Sequence, residues 1–343
     1  MRAEQQLSMV GRRSFLLPIF IFGSLLAVAA IINVSSGAPE ISLQELAGII
    51  LFRTGSELQL TVIWDMRIPR IILGLLVGMM LGAAGTLMQA AMNNKLAGPE
   101  LLGVSSGASL AMAAVTVLHL PVAVIIHPVI ALFGGLAGGL CVVLSARGSR
   151  GTAGMLLIGM SVSAILNGLL IVLIALATSN DVNLLYTYLL GSLANRSWEH
   201  VIRMLPWTLV VLPIAFLFTR TLNLLQLGDE TASGLGVKVL RARILILAVC
   251  TGLVAITVAQ CGPIGYIALI APHFIRSMLG TLDTRQVLPL AVLAGGVLLV
   301  AADTVARLLF YPLEIPVGVW TTLLGGGLFL MLLVKRQRGG NNE

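Results

Sequence analysis

Long apolar runs, each ended by a small cluster of charge, constrain this chain more than any single motif does. Breaking the sequence at charged, proline and glycine clusters gives ten runs, at about 15–34, 68–91, 101–118, 122–145, 153–177, 201–219, 244–261, 263–279, 287–309 and 316–334. A helix needs roughly 20 mostly apolar residues to cross the hydrocarbon core of a bilayer, so the runs match one crossing each. The expected fold is all-α, a polytopic membrane protein with about ten transmembrane helices. Composition agrees, because a soluble surface could not tolerate 58% hydrophobic and 10% charged residues in 343 with a mean hydropathy of +1.02.

Basic residues orient the runs. With the N-terminus in the cytoplasm, only Arg53, Arg67, Arg70, Arg196, Arg203 and Arg307 fall outside, and the remaining fifteen of the 21 basic residues fall inside. That is the positive-inside bias of a consistent topology, and it places both termini in the cytoplasm. The chain reads as one transmembrane domain, 1–343. It comprises a first helix (15–34), a periplasmic segment (35–66), helices two to six (67–219), a cytoplasmic loop (220–243) and helices seven to ten (244–334). Gly11-Arg12-Arg13-Ser14-Phe15-Leu16 resembles a twin-arginine export signal. The apolar run behind it exceeds the roughly 7–15 residues of a signal core, and it reads as a retained helix.

The net charge of +7 comes from scattered clusters between apolar runs, which argues against nucleic-acid binding. Cys141, Cys250 and Cys261 lie far apart without metal or redox spacing and read as packing residues, as does the lone His273. Glycines recur every four positions at Gly74, Gly78 and Gly82, at Gly134 with Gly138, and at Gly135 with Gly139. Small residues at that spacing let helix backbones approach closely. No G-x-x-x-x-G-K-[ST] loop is present, so the chain is not expected to hydrolyse ATP.

Four segments resemble, in order, the permease subunit of the ABC importer family that takes up ferric siderophores, haem and cobalamin. They are Arg67-Ile68-Pro69-Arg70 with Gly78, Gly82, Gly85 and Gln89; Asn94-Lys95-Leu96-Ala97-Gly98-Pro99-Glu100 through Ala108; Gly262-Pro263-Ile264-Gly265-Tyr266 through Arg276; and Ala302-Asp303-Thr304-Val305-Ala306-Arg307 with Glu314 to Gly318. Two departures touch loop rigidity only. Asn93-Asn94-Lys95 replaces the usual Arg-Asn-Pro, and Gly325-Gly326-Gly327 stands where proline commonly closes the triplet.

The resemblance implies a permease that binds no cofactor itself. It would pair with a second permease chain, identical or homologous, and with two cytoplasmic ATPase subunits that hold ATP and magnesium. A periplasmic or lipid-anchored binding protein would deliver a ferric chelate, with haem or cobalamin as the alternative cargo and an ion-gradient-driven secondary transporter as the rival reading. Arg67, Arg70 and Arg307 would receive acidic residues of that binding protein, a task suited to planar guanidinium groups. Gly228, Asp229, Glu230, Thr231, Ala232, Ser233, Gly234, Leu235 and Gly236 would couple to the ATPase. Thr152, Ser105 and Ser106 are candidates for the gate or pathway. Asp303 stands four residues before Arg307 on one helix face and is expected to pair with it inside the membrane.

Overall fold

The computed structural model describes residues 2–37, 41–148, 151–311 and 313–340, and side chains are described from residue 17 onward with further gaps at 43, 148, 328–330 and 332–340. It holds helices and no strand among the described residues. In chain order these are α1 (Arg2–Ser35), α2 (Leu43–Phe52), α3 (Glu57–Thr61), α4 (Ile68–Ala91), α5 (Val104–Val117), α6 (His127–Ser145) and α7 (Gly151–Leu176). There follow α8 (Ser179–Leu189), α9 (Trp198–Leu217), α10 (Thr219–Leu225), α11 (Asp229–Gly234), α12 (Val239–Cys261), α13 (Ile267–Leu279), α14 (Thr284–Leu308) and α15 (Val317–Gly340). Seven helical segments are long and apolar enough to cross a membrane, namely Leu17–Ser35, Glu57–Ala91, Val124–Ser145, Gly151–Leu176, Trp198–Leu217, Val239–Cys261 and Thr284–Leu308. α5 and α13 are apolar but shorter. Every one of the ten expected runs falls on a helix.

α4 is the central column. It packs along α14, α12, α13 and α9, and most of its residues from Leu73 to Ala91 are buried. Glycine spacing explains how two helices this long touch. A Cβ on Gly78 would strike the backbone of Gly295, and one on Gly82 would strike the carbonyl of Ala291, so α4 and α14 meet backbone to backbone. Gly134 and Gly138 on α6 meet Gly103 and Gly107 at the start of α5 in the same way. Without a hydrophobic force between helices in lipid, such close van der Waals contact is what holds the bundle.

The contacts also pair up. α4 lies on α14 as α12 lies on α6, α5 on α6 as α13 on α14, and α5 on α7 as α13 on α15. The order α4–α7 is thus echoed by α12–α15, and the two sets pack against each other. On the rim, α7 bares Leu157, Ile165, Ile171 and Leu176 to its surroundings, which water could not solvate favourably. The chain is an all-helical polytopic membrane protein.

Two stretches depart from the run boundaries. The 179–200 segment, between two of the runs, carries α8, capped by the reciprocal Thr178–Asp181 box, and Trp198 donates to the Trp64 carbonyl. The span expected to begin at 263 starts as helix only at Ile267, because Pro263, Gly265 and a left-handed Tyr266 (φ 65°) keep the chain extended.

Candidate functional site

At the first turn of α4 the structure brings Arg67, Arg70 and Arg307 together. They line one cavity of about 770 Å³ with Arg196, Asp65 and Glu314. Arg67 and Arg307 are buried, with 4% and 7% of their surface exposed. Arg67 donates to the Val34 carbonyl at 2.5 Å, and Arg307 donates to the carbonyls of Asn33 and Ser36. These acceptors belong to the last turn of α1 and its exit, where unpaired carbonyls gather partial negative charge.

The expected Asp303–Arg307 pair is corrected here. Asp303 binds Arg70 through two parallel bonds, Nε to Oδ2 at 2.8 Å and NH2 to Oδ1 at 2.9 Å, and Glu314 takes the remaining NH1 at 2.9 Å. Spacing of four residues allows the pair on α14, but the fork of Arg70 on the facing helix offers a bidentate fit, and the carbonyls of α1 draw Arg307 the other way. Arg196, counted from sequence only as an outside charge, is the fourth arginine of this cavity, and nothing in the linear pattern distinguished it.

Lower in the bundle, three breaks in helix meet. The Ser192 amide donates to the Cys261 carbonyl at 2.8 Å, and the Gly318 amide donates to the Gly191 carbonyl at 3.0 Å. Gly191 (φ 66°) and Gly262 (φ 72°) adopt a left-handed backbone, and the Tyr188 carbonyl lies where a Cβ on Gly262 would sit. No side chain fits that crossing. Non-helical backbone at this depth is tolerated where it is buried in protein or lines a cavity, and both hold here.

The cavity beside these breaks is about 670 Å³. Glu100, Ser105, Ser106, Ser109, Asn167, Tyr266 and Thr322 supply its polar surface, and Leu190, Pro263, Ile264 and Gly318 supply backbone and apolar wall. Ser105 and Ser106 are therefore lining residues of this cavity. Thr152, half-buried at the start of α7, is not among them. The Tyr266 amide donates to Glu100 at 3.4 Å, so this carboxylate sits at the N-terminus of α13, a placement the sequence did not reveal.

At the opposite end of α4 the 228–236 segment forms α11, exposed except for Ala232, which is fully buried. Asp229 takes Arg243 in a fork, at 2.7 and 2.6 Å, while Arg243 also donates to the Ala91 carbonyl at the end of α4. The hydrogen bonds from Arg243 hold the Asp229 carboxyl below its ordinary pKa. α10 is tied to the start of α14 through Asn223 with Asp283 and Gln226 with Thr284. The short exposed helix α11 is thereby linked to α4, and α10 to α14, by polar bonds instead of a loose loop.

Broken helices around a polar cavity in an all-helical bundle define a membrane transporter body. Residues 25–335 match the FecCD transport family, and the chain belongs to it. The ferric dicitrate transport system permease protein FecD of Escherichia coli K12 is 39% identical over 80% of this chain and 85% of its own length. The hemin transport system permease protein HmuU of Yersinia pestis is 37% identical over 92% of this chain and 95% of its own. A solved metal-chelate type ABC transporter in an inward-facing conformation superposes with a TM-score of 0.82 at 29% identity, covering 92% of this chain and 98% of that one.

Proposed function

We propose that this chain is the permease subunit of an ATP-driven ABC importer in a bacterial inner membrane and that its cargo is a ferric chelate of the citrate or siderophore kind. The observation that carries the reading is the cavity lined by hydroxyls, one amide, the Glu100 carboxylate and unwound backbone where three helices break. Such a surface can pass a large polar complex by alternating exposure to the two sides without holding it tightly. In this reading α5, α13 and α15 cross the membrane with the seven longer segments, ten in all, and both termini face the cytoplasm. The chain functions as one domain. ATP and magnesium bind to two separate ATPase subunits, which contact α11, and a second permease chain closes the pathway.

The Arg70 end then faces outward, and a substrate-binding protein docks at its cavity. Arg67 and Arg307 are committed to α1, so they shape the cavity. Glu314 is the exchangeable group, with 41% of its side chain exposed, and an incoming carboxylate would replace it on Arg70. The test is purification of the complex, identification of its subunits, and reconstitution in proteoliposomes. Ferric citrate or siderophore uptake should require ATP and the binding protein. Uptake by this chain alone, driven by a proton or sodium gradient, would overturn the reading.

A further inference from the structure

The buried arginines of this chain are alike in chemistry and unlike in company. Arg70 and Arg243 are forked onto carboxylates, and Arg67 and Arg307 reach the carbonyls that close α1. Arg276, in the last turn of α13 and 91% buried, has one side-chain acceptor, the amide oxygen of Gln89. Its Nε, like that of Arg307, is buried without a partner among the described residues, but Arg276 has no helix-end carbonyl there to turn to as Arg307 does. Gln89 cannot turn to offer more, because its own amide nitrogen donates to the Leu269 carbonyl at 3.1 Å. A guanidinium stays charged under all ordinary conditions, so the site is short of one anion.

Arg276 lines a cavity of about 400 Å³ together with Lys95, His273, Ser277, Thr281 and Leu282. Among the described residues the lining holds two fixed cations, an imidazole and two hydroxyls, and no carboxylate. Asp283 is not among its lining residues, and its Oδ1 is engaged elsewhere, accepting from Asn223 at 2.6 Å and from the Arg285 amide at 3.0 Å. Leu282, which lines the cavity, is half exposed and gives its rim an apolar side.

We propose that this cavity binds a phosphate group, and that the phosphate belongs to the headgroup of an anionic lipid. Several separate donors around a space this size suit a tetrahedral anion with oxygens on every side better than a flat carboxylate. The apolar rim gives the acyl chains a place to lie, and basic pockets between helices at one membrane face are where such headgroups are held. Lys95 and Arg276 supply the charge, and His273, Ser277 and Thr281 complete the shell. His273, an ordinary packing residue by sequence, becomes a ligand by position.

The experiment is native mass spectrometry of the purified complex after exchange into phosphatidylglycerol or phosphatidylcholine, with inorganic phosphate tested separately for protection against thermal unfolding. One phosphatidylglycerol should remain per copy of this chain. Arg276→Gln should lower its occupancy about tenfold and Lys95→Ala about threefold, while Arg241→Ala, an exposed cation at the same end, changes nothing. Protection by inorganic phosphate that Arg276→Gln abolishes, with no lipid retained, keeps the phosphate site and assigns it to the free ion. If Arg276→Gln does not fold, Lys95→Ala and His273→Gln carry the test. Equal retention of both lipids, with no protection by phosphate, or unchanged binding in the cavity variants, overturns the proposal; so does charge satisfied only by an acidic side chain of a partner subunit.

Discussion

The two ends of α4 solve the same problem in opposite ways. At one end Arg70 is enclosed by Asp303 and Glu314, so a buried cation meets two anions within 2.9 Å. At the other, Gln89 meets Arg276 with a neutral amide and leaves the positive charge uncompensated. The first arrangement fixes helices to each other. The second holds a place for something not supplied by this chain. A buried ion pair adds little net stability but costs much to break by removing one partner, whereas a lone buried charge is tolerated only where a ligand or water reaches it.

The largest expected effect comes from breaking the satisfied end. Asp303→Asn should destabilise the protein by about 3–5 kcal/mol, since it leaves Arg70 buried against one half-exposed carboxylate. Thermal unfolding in detergent measures it. If charge balance and not shape is responsible, the double substitution Arg70→Met with Asp303→Leu should recover most of the loss.

Removing the single acceptor at the other end should cost less. Gln89→Leu strips Arg276 of its only side-chain partner among the described residues and should destabilise by about 1–3 kcal/mol. The same melting experiment reads it, and Arg276→Met in the same chain should cancel the effect. A cost matching that of Asp303→Asn would erase the distinction between the two ends.

Arg243 provides an intermediate case at the Gln89 end, where its partner Asp229 has 48% of its side chain exposed. Asp229→Asn should cost no more than about 1 kcal/mol, because solvent screens the pair. The sign of its pH dependence is fixed by the lowered pKa of Asp229. The contribution is present above the ordinary carboxylate value of about 4 and is lost as the pH falls through the lowered one. The stability difference between the wild type and Asp229→Asn should therefore shrink between pH 7 and pH 3.

The helices were legible because an apolar run of membrane length has few other solutions, and α4 begins and ends where its run does, at 68 and 91. Glycine spacing carried the packing of α4 on α14 in the same way. The partners of the arginines were not legible. Which acid meets Arg70 depends on how α4 and α14 cross, and a pattern within one helix suggested Asp303–Arg307 instead. The central cavity was half legible: Ser105 and Ser106 stood out by polarity, but Glu100 reaches it only because Pro263, Gly265 and Tyr266 delay the start of α13. Lys95 and Arg276, 181 positions apart, form a site that no linear motif could announce.

Glu314→Gln should have the smallest energetic effect and sharpens the comparison most. Glu314 is partly exposed and Asp303 still holds Arg70, so stability should change by no more than about 0.5 kcal/mol. Function should respond more than stability does. If the Arg70 end accepts an acidic side chain of a binding protein, losing the internal competitor should let that protein stimulate ATP hydrolysis at about two- to fivefold lower concentration, most clearly at low salt. The measurement is ATPase activity of the reconstituted complex titrated with binding protein at two ionic strengths. An unaltered titration would mean that Arg70 serves the fold alone, and that the satisfied end of α4 is closed to a protein partner.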